Sequence, residues 1–233
     1  MKPCVLLGQH LLTLLGMLCC VSAAQGMTLP GMAGGHEVQV ESLKALRFHS
    51  VVQQQYDYSC GSAALATLLS VYYQRPTTEV DAFDSMFRNG DQGLIRSQGF
   101  SMLDMKRYLA LDQGLSADGF RLDLAELKAL GVPAIAMIEL QGYRHFVVIK
   151  GLRDGQVLVG DPALGLRSYS KGGFQRIRVN DILFIIRDRP DLAQQQFNNR
   201  ATWGAVAQGP TDKAVARNSV AEFVLNLPGA TQW

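Results

Sequence analysis

Three side chains in this sequence supply the chemistry of acyl transfer: a thiol, an imidazole and a carboxylate. Cys60 stands in QQQYDYSCGSAAL, where a polar loop gives way to small and apolar residues at helical spacing. A thiol at a helix N-terminus feels the positive end of the macrodipole, which favours the thiolate, the form that attacks a carbonyl. Gly61 beside it lets another backbone come close to the start of that helix. His145 heads the apolar run FVVIK and is the candidate general base, because a nucleophilic thiol needs a proton acceptor within hydrogen-bond reach. Asp161 closes the next run, QVLVGD, and is the candidate third group that holds the ring. Each residue also has a plainer use. A lone thiol packs as a small hydrophobe, a histidine beside an apolar strand satisfies itself in the core, and an aspartate before proline makes a turn.

Whether His145 and Asp161 meet depends on strand register. If HFVVIK and QVLVGD pair antiparallel around the loop 151–155, His145 faces Asp161 directly across the pair. A two-residue turn at Asp154-Gly155 shifts the pairing by three positions and spoils that match. Acyl transfer also needs donors for the developing oxyanion, and a side-chain amide working with the nucleophile's own N–H is one solution. Gln53, Gln54 and Gln55 all lie just upstream of Cys60; on their own they are only a polar loop.

The elements that must position these groups are legible from period and punctuation. GSAALATLLSVYY after Cys60 is apolar nearly all round, so a central buried helix is expected there. Thr77 or Thr78 caps a helix running to Asn89, Ser101 caps MLDMKRYLALDQ, and Leu124 to Leu130 forms a short helix stopped by Gly131. Beyond it VPAIAMIEL, HFVVIK, QVLVGD and ILFIIR read as strands. Helices first and an antiparallel sheet second give a segregated α+β architecture. HEVQV, residues 36–40, reads as one early strand, and Ser219 to Leu227 as an amphipathic helix in an otherwise loose C-terminal stretch.

Lys2, an apolar run from Val5 to Val21 and the small residues Ser22 to Ala24 have the form of a secretory signal peptide, so cleavage is expected near Ala23 or Ala24. Of the four cysteines, Cys4, Cys19 and Cys20 leave with that segment. Cys60 then has no partner for an internal disulfide, although export would favour one. The formal net charge of +2 falls by one with Lys2, which argues against nucleic acid or an anionic membrane surface as partner. One cysteine and three scattered histidines lack metal-ligand spacing, so no metal and no cofactor are expected. With 48% hydrophobic residues the remainder suits one domain with a substantial core.

The ordered set Gln54…Cys60-Gly61, His145-Phe146-Val147-Val148 and Asp161-Pro162-Ala163-x-Gly165 resembles the bacteriocin-processing, double-glycine-leader cysteine peptidases of the papain-like clan. The similarity spans about residues 48–188. It implies a papain-like fold in which Cys60 is the nucleophile, His145 the base, Asp161 its orienter and Gln54 a lining residue of the oxyanion hole. One departure stands out: the family often carries an acidic residue directly before the cysteine, and this chain has Ser59. The leader segment and the lack of transporter helices or a nucleotide-binding motif resemble the stand-alone periplasmic members that accompany functional-amyloid export systems.

The resemblance therefore implies a periplasmic cysteine endopeptidase that cuts an exported protein after small residues, at a Gly-Gly or Gly-Ala type site. Its partner would be a protein or peptide substrate of an amyloid system, with no ATP bound by this chain and no membrane span once the leader is gone. The expected layout is a signal peptide over 1–24, a flexible segment over 25–47, the peptidase domain over 48–189 and an extension over 190–233. Gly34-Gly35, with Met32 and Leu29 at the fourth and seventh positions back, resembles such a cleavage site, and a Gly-rich linker explains the same residues. Two rivals stay open: a related domain that binds export substrates without cutting them, and acyl transfer to an amine in place of water.

Overall fold

The structure of the protein is a computed structural model that describes residues 42–206. The first helix, α1 (Leu43–Phe48), begins where the Ser42 hydroxyl accepts the Ala45 N–H at 3.0 Å. It occupies part of the stretch expected to be a flexible leader, since six residues are too few for a period to show. Next comes α2 (Cys60–Tyr72), in which every residue except Ser70 and Val71 is buried. Its all-round apolar surface is matched by cover on all sides, helices against one flank and the sheet against the other.

Three helices follow the punctuation read from the sequence. α3 (Glu79–Asn89) carries a reciprocal capping box between Thr78 and Asp81. Between it and the next of these lies α4 (Gln92–Gln98), capped by Asp91 and not foreseen, because only Leu94 and Ile95 are apolar in it and Leu94 is exposed. α5 (Met102–Asp112) has the Ser101–Asp104 box, and α6 (Leu124–Leu130) the Asp123–Glu126 box, ending on Gly131 in the left-handed conformation.

One antiparallel sheet completes the core. Its spatial order is β1 (Ala117–Arg121), β6 (Ile182–Ile186), β2 (Ala134–Leu140), β3 (Tyr143–Arg153), β4 (Gln156–Asp161) and β5 (Gly165–Ser170). The four central strands are those marked by Val and Ile runs. The two edges, ADGFR and GLRSYS, each bury too few side chains to print a period. α7 (Lys171–Ile177) hides behind two glycines and hangs on buried Phe174. The architecture is α+β and papain-like, with helices packed on an antiparallel sheet.

The C-terminal stretch is not loose as far as residue 206. α8 (Pro190–Gln196) and α9 (Arg200–Ala205) bury Ala193, Phe197 and Trp203, and Asn198 clamps β3 from outside. The Asn198 N–H donates to the Lys150 carbonyl at 3.1 Å, and its Oδ1 accepts the Leu152 N–H at 2.6 Å. The signal peptide, the HEVQV strand, the Gly34-Gly35 pair and the Ser219–Leu227 helix lie outside the described residues.

Lys150 sits in a β-bulge where the β3–β4 register slips between Ile149 and Gly151. Its side chain is buried, with the ammonium donating to the Ser50 carbonyl at 2.8 Å and lying 5.0 Å from the centre of the Tyr72 ring. Desolvation lowers its pKa from 10.5 to about 7. The folded value lies below the unfolded one, so between these pH values the unfolded chain binds more protons and stability rises with pH. Lys150→Met should therefore stabilise the fold near pH 7, and its advantage over wild type should shrink by about 3 kcal/mol by pH 9.5. Urea unfolding of both proteins at the two pH values measures this, and parallel pH dependences would contradict it.

Candidate active site

The site lies on the seam between α2 and the sheet. Cys60 is the first residue of α2, and its thiol is bathed by the N–H groups of Cys60 and Gly61 and by the Phe146 N–H of β3. The sulfur therefore lies against the peptide that follows His145. A Cβ added at Gly61 would come within 3.0 Å of Met105 Cε and Phe100 Cβ and 3.6 Å of Phe146 Cδ2. The close approach that requires glycine here comes from side chains, not from the backbone expected from the sequence.

His145 and Asp161 are both buried, and His145 Nε2 lies 3.0 Å from Asp161 Oδ2. An ionised carboxylate only accepts, so the proton is on Nε2 and the lone pair on Nδ1. Nδ1 is buried and has no hydrogen-bond partner among the described residues. Asp161 Oδ1 accepts the Ala163 and Leu164 N–H groups at 2.8 and 3.1 Å, so the carboxylate, with no exposed surface, is satisfied on both oxygens.

The pair forms by a route other than the one expected. The hairpin closes on the two-residue Asp154-Gly155 turn, both residues at positive φ, with Arg153 opposite Gln156. The bulge at Lys150 then slips the register by one, so that Val148 faces Gly160. Continued in that register, Asp161 falls opposite Val147 and is diagonal to His145 on the same face. Long side chains bridge such diagonal neighbours, so the hydrogen bond survives a register that excludes direct opposition.

Burial raises the Cys60 thiol above its ordinary value, and the Asp161 charge adds to the effect; the three N–H groups oppose both without prevailing. This reverses the expectation of a thiolate favoured by the macrodipole, because desolvation outweighs the helix end when only 7% of the residue is exposed.

Gln54 is tied to the same corner. Its N–H donates to the Pro162 carbonyl at 3.0 Å, next to Asp161. Its Nε2 donates to the Tyr56 carbonyl at 3.0 Å, and Oε1 is buried without a partner among the described residues. One of the two amide protons thus holds the loop, and the same amide also reaches the Tyr143 hydroxyl as a donor.

Two further residues belong to the site. The Tyr143 ring stacks on His145 with centroids 5.5 Å apart, and its hydroxyl donates to the Asp57 carbonyl, joining the histidine strand to the cysteine loop. Period-two alternation sets Tyr143 on the face of His145, so this signal was present in the sequence. Glu79, buried at the start of α3, accepts the Gln55 N–H and the Ser59 hydroxyl. Nothing in the sequence pairs residues twenty positions apart in this way.

The Peptidase C39 family model matches residues 49–189. A curated protein of Pseudomonas aeruginosa named "Probable functional amyloid protease FapD" is 40% identical over 178 residues, covering 76% of this chain and 78% of that protein. A protein of the same name from Pseudomonas fluorescens is 41% identical over 165 residues, covering 70% and 73%. Among solved structures, the peptidase domain of Streptococcus ComA, a bifunctional ABC transporter involved in quorum sensing, matches with a TM-score of 0.50 at 20% identity. That match covers 59% of this chain and 96% of the domain, and it shows a shared fold.

The geometry makes the thiol dependent on its neighbours. Iodoacetamide capture of Cys60 at pH 7 should slow by roughly ten-fold or more in His145→Ala, with the residual rate rising only above pH 9, the ordinary thiol range. Asp161→Asn should slow capture as well, since its amide N–H would face Nε2 and force the other tautomer. Equal rates across the three proteins would refute both expectations.

Proposed function

The chain belongs to the Peptidase C39 family and is a cysteine peptidase, and from that premise we propose that Cys60, His145 and Asp161 form its catalytic triad. The observation that carries this reading is the buried His145–Asp161 hydrogen bond, set next to the peptide whose N–H meets the Cys60 sulfur.

In the proposed reaction Cys60 Sγ attacks the carbonyl carbon of the scissile peptide as its proton passes to Nδ1 of His145. A resting thiol raised by burial makes this general-base step necessary, because little thiolate stands ready at neutral pH. Asp161 Oδ2 accepts the Nε2–H and stabilises the imidazolium. The oxyanion takes hydrogen bonds from the Cys60 N–H and from the Gln54 amide, whose second proton turns from the Tyr143 hydroxyl to the substrate. The tetrahedral species collapses as His145 gives its proton to the departing amine, leaving a thioester on Cys60. Water, deprotonated by His145, then attacks the thioester and releases the new C-terminus and the thiol.

The substrate class follows from the relatives. Their printed name is that of a functional amyloid protease, and we infer that this chain acts on a protein of an amyloid export system. A thiol only 7% exposed favours Gly-Gly or Gly-Ala at the cut, where neither residue beside the bond brings a bulky side chain. The leader over residues 1–24 supports action in the periplasm, after export.

Incubating wild type and Cys60→Ala with candidate exported amyloid-system proteins and sequencing new N-termini tests the whole reading. Wild type should create one new N-terminus following a small residue and Cys60→Ala none; cleavage by both proteins would end the proposal. An intact mass of the exported protein beginning at Ala24 or Gln25 would support signal cleavage alone, whereas a start at His36 would add self-processing after Gly35.

A further inference from the structure

Cys60 is 7% exposed and His145 4%, yet Tyr143, whose ring stacks on the imidazole, is 48% exposed. One face of the ring therefore covers His145, and much of the rest meets solvent. Its hydroxyl reaches across the seam and donates to the carbonyl of Asp57, three residues before the thiol. The side chain thus spans from the strand that carries the imidazole to the loop that carries the sulfur.

The two ends of this bridge differ in firmness. Tyr143 follows the two-residue turn Gln141-Gly142, both at positive φ, and pairs with Leu140; the Arg144–Glu139 ion pair at 2.6 Å ties the same hairpin again. Asp57, by contrast, stands exposed in a loop. A neutral hydrogen bond open to water is worth little net, because water takes over either partner when it breaks. The bond from Tyr143 to Asp57 is of this reversible kind, whereas the His145–Asp161 bond is buried on both sides.

The phenol is engaged twice by the cysteine loop, donating to Asp57 and accepting from the Gln54 amide. Its departure would release the Gln54 proton assigned to the oxyanion. Admitting a substrate and completing the oxyanion hole then become one event.

We propose that Tyr143 is a specificity-determining gate: latched to Asp57, its ring screens Cys60 and His145, and a substrate reaches the pair by displacing the hydroxyl. The opening lies between a firm hairpin and an exposed loop. It admits a thin stretch of backbone more readily than a bulky side chain, which gives the preference for small residues at the cut a physical source.

The inference rests on the peptidase reading, and a readout that needs no substrate keeps their failures apart. Iodoacetamide and the bulkier N-phenylmaleimide are compared for capture of Cys60 in wild type and in Tyr143→Phe, which keeps the ring and loses the latch. Both rates should rise about two- to ten-fold in the variant, the range set by one such hydrogen bond, with the maleimide gaining more. On a cleaved exported substrate KM should fall by a similar factor, since binding no longer works against the latch. Leucine placed before the cut should cost the variant at least about two-fold less in kcat/KM than it costs wild type. A hydroxyl that merely steadies the loop predicts the reverse, slower capture and a lower kcat at constant KM.

If Tyr143→Phe does not fold, Tyr143→Leu is read by the ratio of maleimide to iodoacetamide capture, which cancels any change in the imidazole and should rise. Capture at or below the wild-type rate in folded Tyr143→Phe, an unchanged KM or an unchanged cost of leucine would overturn the gate. Cleavage by Cys60→Ala would instead overturn the peptidase assignment, and the capture rates would still judge Tyr143.

Discussion

A carboxylate with no exposed surface lies at the centre of this fold, and much of the surrounding structure can be understood as what that burial demands. Asp161 would be strongly penalised as a buried ion if any lone-pair direction were left empty. One oxygen is taken by the backbone N–H groups of the turn that follows it and the other by the imidazole. The turn must therefore fold back sharply at Pro162, and Pro162 in turn receives the Gln54 N–H. Through that chain of bonds the end of β4, the loop before α2 and the imidazole on β3 are held as one unit. The imidazole gains a set orientation and tautomer, with its free nitrogen pointing away from the carboxylate.

The Cys60 thiol is governed by the opposite balance. Three N–H groups converge on the Cys60 sulfur and favour its charge, but desolvation wins. A permanently ionised thiolate would be more reactive toward any electrophile it met. A covered, neutral thiol waits for a proton acceptor at hand and a carbonyl seated against it. Burial thus trades resting nucleophilicity for selectivity, and the trade works only because the base lies one strand residue from the peptide that touches the sulfur.

Much of the fold was legible because the core elements carry strong periods and explicit punctuation. The capping boxes at Thr78, Ser101 and Asp123, the stop at Gly131 and the four Val- and Ile-rich runs were all readable. What escaped was short or half-covered: α1, α4 and α7, with six or seven residues each, and the edge strands β1 and β5. Such pieces owe their shape to contacts with the rest of the chain, which a local window does not contain. At the site, residue types and order pointed to a cysteine, a histidine and an aspartate that the fold does bring to one seam, while the direct cross-strand register proposed to join the last two was wrong. Turn chemistry favoured Asp154-Gly155, and a bulge at a buried lysine, invisible in a Val- and Ile-rich strand, moved the register by one. Glu79 was unreadable for a related reason, because its partners are a backbone N–H and a hydroxyl of one loop, whose position depends on the packing of α3 against α2.

The seam between two layers is where these constraints meet, and it explains why the site is where it is. A helix buried on all sides offers its termini as the only places where backbone donors remain unspent. A sheet offers side chains at fixed spacing from one face, and β3 adds a spare N–H at Phe146, beyond the residues it pairs with β4. Acyl transfer needs both: unspent N–H donors for charge on sulfur and oxygen, and an imidazole whose distance from the nucleophile does not fluctuate with a loop. Docking the N-terminus of α2 against the beginning of β3 supplies the two together, and Tyr143 closes the joint by stacking on the imidazole while its hydroxyl holds the cysteine loop. The architecture then requires little else of the surface, so the loops around this seam remain free to define which peptide enters.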